Sequence, residues 1–137
     1  MNIEKNSRPY KNLFNGSDQF YLADPTKITI KKNGGKRWGV QKEFSLVLEY
    51  CLDGHLNGTL NKGVVLPPIR KSDNKCIWGA IDVDGEVYNN EEIKIELLQK
   101  VEKLKLPLLP CYSKSKGLHF YIFFNDWTDA KTVRDIL

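Results

Sequence analysis

Cysteine is scarce in this chain, and its few copies follow no recognisable pattern. Cys51, Cys76 and Cys111 are the three cysteines among 137 residues. Their odd number and wide spacing fit neither a disulfide framework nor a zinc site. Because two of them lie inside apolar runs, they indicate reduced core thiols in an intracellular protein, and a cytoplasmic location is predicted.

Long apolar stretches, internal repeats and linkers are missing as well. No stretch is long or apolar enough to span a membrane. The polar N-terminus is not a signal peptide, so no membrane partner is expected. The hydrophobic content of 41% suits one globular domain with a modest core. A net charge of +4 is compatible with a polyanionic partner and does not demonstrate one.

Strands and helices alternate along the chain in an order that predicts an α+β fold, with a sheet packed against helices. Polar residues 1–9 predict a flexible lead-in. A helical face from Phe44 to Leu52 should end near Gly54, and a second helix should start at Asn89-Asn90 with its lysines outward. Gly63 to Pro68 predicts an extended, non-central connection. Further strand-like runs occupy residues 76–84, 106–112 and 118–124, and a last helix begins at 129.

A basic cluster follows the first strand-like run. Residues 27–37 alternate like a strand and then turn at Gly34-Gly35. The candidate residues in and beside this turn are Lys31, Lys32, Lys36, Arg37 and Trp38. A basic hairpin tipped by an aromatic residue is suited to tracking a phosphate backbone and stacking a base, although a solvated loop explains the same charges. His55 lies in a loop, where a structural or exposed histidine is the alternative to a nucleic-acid contact.

An acidic pair ends the strand-like run from Cys76. Asp82 and Asp84 are two residues apart, so on a strand both project to the same face, opposite to Ile81 and Val83. Two such carboxylates repel each other unless a cation or a strong donor lies between them, and Mg²⁺ and Mn²⁺ prefer oxygen ligands. The pair indicates a metal site, but a turn that caps a hairpin in solvent explains the same spacing.

A polar turn between the last two strand-like runs is the second chemical feature. Its candidate phosphate ligands are Ser113, Ser115, Lys116, the amide of Gly117, and His119. Hydroxyl, ammonium, amide and imidazole donors can surround a phosphate, although an ordinary polar hairpin explains the turn as well. Adjacent strands would place the carboxylates beside these donors. The two features together indicate binding of a metal ion and a nucleoside triphosphate.

In combination these motifs resemble the archaeo-eukaryotic primase superfamily of primases and primase-polymerases, and in particular the primase domains of TOTE conflict systems. Ile81-Asp82-Val83-Asp84 is similar to the first family motif, and the segment from Ser113 to His119 is similar to the second. Leu13-Phe14, His55-Leu56-Asn57-Gly58 and the strand from His119 to Phe124 are similar to further features of the TOTE domains. The likeness covers most of the chain from about Leu13 onward.

The resemblance implies an RRM-like primase-polymerase catalytic core with an N-terminal α/β extension, in a single domain over residues 10–137. It implies that Asp82 and Asp84 hold catalytic Mg²⁺ or Mn²⁺ and that His119 contacts the phosphates of a nucleoside triphosphate. Ser113, Ser115, Lys116 and Gly117 would assist His119. The implied reaction is attack of a 3′-hydroxyl on the α-phosphate along a single-stranded DNA or RNA template. The implied template contacts are Lys31, Lys32, Lys36, Arg37 and Trp38.

The third motif of the family, a metal-binding acid on a later strand, has no convincing counterpart. Asp126, Asp129 and Asp135 lie on the exit from the strand or in the next helix. We therefore expect either an incomplete domain, the N-terminal part of a larger replication or conflict-system protein, or a truncated relative. Two functions stay open: a DNA primase/polymerase, and a noncatalytic module that binds nucleotide, nucleic acid or a protein partner. An unrelated metal enzyme such as a phosphodiesterase is a third.

Overall fold

Helices and strands follow one another along the chain as an α+β fold requires. The computed structural model describes residues 4–137 except 33, 35, 44, 45, 84, 86, 88, 89 and 114–116. The helices are α1 (Glu4–Leu13), α2 (Leu48–Leu56), α3 (Glu91–Lys103) and α4 (Ala130–Ile136). The strands are β1 (Tyr21–Ile30), β2 (Lys36–Lys42), β3 (Gly63–Val65), β4 (Lys75–Val83), β5 (Leu109–Tyr112) and β6 (Leu118–Asp129). They group into two compact units, Met1–Cys76 and Ile77–Leu137.

The predicted fold class is confirmed, since helices accompany two antiparallel sheets. Helix α1 includes part of the segment that was predicted to be a flexible lead-in. The flexibility of residues 1–9 and the single domain over residues 10–137 stay predictions. All three cysteines are free, and Cys51 and Cys76 are buried, as expected of core thiols.

The first unit contains a three-stranded antiparallel sheet in the order β2-β1-β3. The basic segment forms the predicted hairpin, but β1 begins at Tyr21 because the residues from Tyr21 to Ala23 pair with both neighbouring strands. Phe20, Leu22 and Cys51 form the core of this unit. An extended connection was predicted over Gly63 to Pro68, and its first three residues form a strand, β3, which lies at the sheet edge and so is non-central as expected.

The predicted bounds of α2 are wrong. The helix spans Leu48–Leu56, whereas the prediction began it at Phe44 and ended it near Asp53-Gly54; Phe44 itself lies outside the described residues. Gly54 stays inside the helix, where its missing side chain permits a close approach of the following loop. Gly58, with φ of 76°, adopts the left-handed conformation just beyond the helix end.

The second unit contains a sheet in the order β4-β6-β5. Strands β4 and β5 are connected through α3 and have β6 between them, which is a split β-α-β arrangement. Strand β4 covers the run predicted from Cys76 and ends at Val83. Strands β5 and β6 form the predicted antiparallel hairpin, with Cys111 opposite His119. Strand β6 continues to Asp129, beyond its predicted end at Phe124.

Helix α3 packs on one face of this sheet. Val87, Leu118 and Phe120 are the buried residues of the core, and Ile93, Leu97, Leu98 and Val101 of α3 pack against them. The prediction that the lysines of α3 all point outward is wrong, because Lys94 is 4% exposed and pairs with Glu91. Lys94 precedes Leu97 and Leu98 by three and four residues, which places it on the apolar face. No helix in the described part of the chain is long and apolar enough to cross a membrane.

The start of α3 permits a first prediction. Asn90 is the N-cap, and its Oδ1 accepts a hydrogen bond from the backbone N–H of Ile93 at 3.2 Å. Asn90→Ala should lower the free energy of unfolding by about 1 kcal/mol, because that N–H loses its acceptor. Urea unfolding followed by circular dichroism measures the change. Asn90→Asp should restore most of it, while Gln99→Ala, an exposed change on the same helix, should cost less than about 0.5 kcal/mol. Equal losses for the two alanine variants would contradict a capping role.

Candidate active site

Residues of both predicted motifs share one face of the second sheet. On β4, Ile81 packs into the core beneath α3, so Asp82 projects to the opposite face. On β6, Leu118 and Phe120 are buried in the same core, so His119 between them also projects to the opposite face. The alternation of each strand therefore brings an acid and a histidine to the face that α3 leaves uncovered.

Asp82 and His119 are in direct contact on this face. His119 Nε2 lies 3.0 Å from Asp82 Oδ1, and the two side chains are 33% and 63% exposed, respectively. An exposed pair of this kind adds at most about 1 kcal/mol to stability. The position of the pair matters more than its stability, because it joins residues of two separate motifs on a surface that a ligand can reach.

Tyr121 contacts the same histidine through its other nitrogen. The Tyr121 hydroxyl lies 3.4 Å from His119 Nδ1, and the two rings meet edge to face with centroids 6.1 Å apart. Burial raises the pKa of Tyr121, and Cys111 and Asp82 raise it further, so the hydroxyl keeps its proton at neutral pH. When Nδ1 carries no proton, this hydroxyl can donate to it, and the Nε2–H of His119 then faces Asp82.

Two further aromatic residues surround Tyr121. Its ring centroid lies 6.2 Å from that of Trp78 and 6.3 Å from that of Phe123. Trp78 is buried, with 8% of its surface exposed. These contacts restrict the Tyr121 ring and with it the orientation of the His119 imidazole. Tyr121 was missed in the sequence, where its two-residue spacing from His119 on a strand was the available signal.

The two ends of the predicted phosphate-binding turn, Ser113 and Gly117, are hydrogen-bonded to each other. The backbone N–H of Ser113 donates to the carbonyl oxygen of Gly117 at 3.0 Å, and the N–H of Gly117 donates to Ser113 Oγ at 3.0 Å. The Gly117 amide is therefore hydrogen-bonded within the turn, and its role as a phosphate ligand stays a prediction. Ser115 and Lys116 lie outside the described residues.

The predicted metal site is described in part. Asp82 offers an exposed carboxylate, which is the hard oxygen donor that Mg²⁺ and Mn²⁺ prefer. Asp84 lies outside the described residues. Within the described residues, no three His, Cys, Asp or Glu side chains form a group that could hold a metal ion. Asp82 thus fits the role of one ligand, and the metal itself stays a prediction.

The predicted nucleic-acid contacts lie in the first unit. Lys31 and Lys32 follow β1, while Lys36, Arg37 and Trp38 belong to β2; the four cations are exposed, and Trp38 is paired with Ile28 in the ladder. The prediction that His55 lies in a loop is wrong, because His55 belongs to the last turn of α2. It is exposed there, and its Nδ1 lies 3.2 Å from the carbonyl oxygen of Lys62. This contact fits the structural alternative for His55, and its role with nucleic acid stays a prediction.

These observations define an α+β domain whose sheet carries an accessible acid–histidine pair. A family model described as the archaeo-eukaryotic primase domain of TOTE conflict systems matches residues 10–137. The chain belongs to this family of primase-like nucleotidyltransferases, which confirms the resemblance drawn from the two motifs. Membership indicates binding of nucleotides and nucleic acids in general. Comparison with curated proteins gave no match.

Proposed function

We propose that this chain provides the catalytic site of a metal-dependent DNA primase/polymerase that extends nucleic acid on a single-stranded template. The contact between Asp82 and His119 carries this proposal. In phosphoryl-transfer sites, the carboxylate that holds the metal and the donor that holds the nucleotide lie close together, because the metal bridges to the phosphates. An acid and an imidazole at 3.0 Å on an open sheet face meet that requirement.

Each side chain has a role in this proposal. Asp82, together with Asp84, would hold Mg²⁺ or Mn²⁺. The bound metal would supply charge stabilisation at the reacting α-phosphate and activation of the 3′-hydroxyl. His119, whose Nε2 faces Asp82 in this structure, would donate a hydrogen bond from that nitrogen to a phosphate oxygen of the incoming nucleoside triphosphate. Tyr121 would keep that proton on Nε2 by donating to Nδ1.

The remaining predicted residues complete the proposal. Ser113, Ser115, Lys116 and Gly117 would contact the triphosphate beside His119. The template would be single-stranded DNA or RNA, and the domain would act within a larger replication or conflict-system protein. The cytoplasmic location predicted from the cysteines stays a prediction.

The alternative is a noncatalytic module that binds nucleotide or nucleic acid. It is favoured by two of the later acids, Asp129 and Asp135, whose carboxylates have structural roles. Asp129 caps α4 by accepting from the N–H groups of Lys131 and Thr132, and Asp135 pairs with Lys131 and Arg134. Two of the three later carboxylates, those of Asp129 and Asp135, are therefore already engaged.

Synthesis by the chain itself tests the proposal. We would assay primer extension and de novo synthesis on single-stranded DNA with deoxy- or ribonucleoside triphosphates, with Mn²⁺ or Mg²⁺ and with excess chelator. We expect products that require the metal. Metal-dependent nucleotide binding without synthesis would overturn the catalytic proposal in favour of the binding module. Neither synthesis nor nucleotide binding would contradict both functions.

A further inference from the structure

The hairpin of β1 and β2 leaves the core of the first unit. The first residues of β1, from Tyr21 to Asp24, are buried or half-buried, whereas every residue from Thr26 to Ile30 is exposed. The change from buried to exposed residues occurs between Asp24 and Ile28, where the pairing register of β1 with β2 also shifts. A strand on a core normally buries one of its faces. Residues 26–41, here called the arm, therefore present both faces of a two-stranded ribbon over much of their length.

The arm carries charge of one sign. It contains Lys27, Lys31, Lys32, Lys36 and Arg37, and no acidic residue. The last four of these make no ion pair with any residue in the described part of the chain. Elsewhere, cations such as Arg70 pair with neighbouring acids. Like charges held together repel each other, and a polyanion whose phosphates they neutralise relieves that repulsion.

The arm also exposes apolar surface on one of its faces. Ile28 is 48% exposed and Ile30 is 76% exposed, and their two-residue spacing puts both on the same face. The register places Ile30 opposite Lys36, and it places Thr29 opposite Arg37 on the other face. One face therefore combines two isoleucines with a lysine. A phosphate backbone alone would leave the isoleucines in water, while a strand with unpaired bases offers them apolar ring surface.

We propose that the arm binds single-stranded nucleic acid, with its cations on the phosphates and with Ile28 and Ile30 against the bases. This inference rests on the proposed function for the identity of the strand, because a template is the polyanion that a primase-polymerase holds. To the proposed function it adds the surface that would hold the template and the side chains that would contact its phosphates and bases. Charge alone does not separate a single strand from a duplex, and the isoleucine face favours the single strand.

Oligonucleotide binding without catalysis tests the arm. We would measure fluorescence anisotropy of a labelled 20-nucleotide oligo(dT) against the whole chain, in chelator and without nucleotide, at several salt concentrations. Lys31→Ala/Lys32→Ala should weaken binding about tenfold and reduce the salt slope by about 0.7 for each phosphate that is no longer neutralised. Ile28→Ser/Ile30→Ser should weaken binding about fivefold and leave the salt slope unchanged. Lys100→Ala/Lys103→Ala removes the same charge from exposed positions of α3 and should change affinity less than twofold.

Each outcome decides the inference. Arm variants that bind like the α3 control would overturn it, and circular dichroism would verify that all variants are folded. Arm-dependent binding that is as strong for the matching duplex would also overturn the single-strand assignment. Synthesis by the unmodified chain combined with oligonucleotide binding that ignores the arm would reject the arm and leave the proposed function standing. Arm-dependent binding without any synthesis would support the arm and reject the proposed catalytic function.

Discussion

Asp82→Asn should reduce nucleotidyl transfer by about a thousandfold and leave the fold intact. Asparagine has the same shape as aspartate and keeps an oxygen that can accept from His119 Nε2, now 3.0 Å from Asp82 Oδ1. It loses the negative charge that a divalent cation needs. Charge stabilisation by a catalytic metal amounts to several kcal/mol, and a thousandfold loss corresponds to about 4 kcal/mol. The fold should tolerate the change because the side chain is 63% exposed.

The ratio kcat/KM for primer extension measures this effect. Calorimetric titration with Mn²⁺ measures the affinity for the metal separately. The matched control is Asp126→Asn, which removes the same charge from an exposed position on β6, the neighbouring strand of the same sheet. It should retain nearly full activity and the same Mn²⁺ affinity. Full activity in Asp82→Asn would refute a catalytic role for this acid. Equal losses in the two variants would attribute the effect to net charge and not to a metal ligand.

The meeting of Asp82 and His119 was predictable in outline from the sequence. Alternation within each strand decides which residues share a face, and the residues on either side of Asp82 and of His119 in the sequence are all apolar. Tyr121 was harder to predict. Several aromatic residues follow His119, and strand parity alone allows both Tyr121 and Phe123 to share its face. The contact between Tyr121 and Trp78 depends on how β6 is aligned with β4, and that pairing is not local in sequence.

The mispredicted features also depended on contacts that are distant in sequence. Gly54 had the residue type of a helix end, but close packing with the following loop kept it helical, and Gly58 lies at the turn instead. Lys94 had a spacing that predicts an inward position, and its charge suggested an outward one. The charge of the arm was visible in the sequence, whereas the exposure of both its faces depends on where the sheet leaves the core of the first unit.

The second large effect is expected for a substitution in the core beneath the site. Leu118 is 1% exposed, begins β6 directly before His119, and packs with Val87, Phe120 and the apolar face of α3. Leu118→Ala should lower the free energy of unfolding by about 3 kcal/mol, because burial is lost and the surrounding residues only partly fill the cavity. Urea unfolding followed by circular dichroism measures the loss.

Leu109→Ala is the matched control for this substitution. Leu109 lies on β5 in the same hairpin, opposite Tyr121, but it is 51% exposed. The same chemical change there should cost less than about 1 kcal/mol, since little apolar surface leaves a packed environment. Similar losses at the two positions would show that Leu118 does not anchor the hairpin. A large loss confined to Leu118 would instead indicate that the core packing of this leucine anchors β6, the strand that carries His119 on its opposite face.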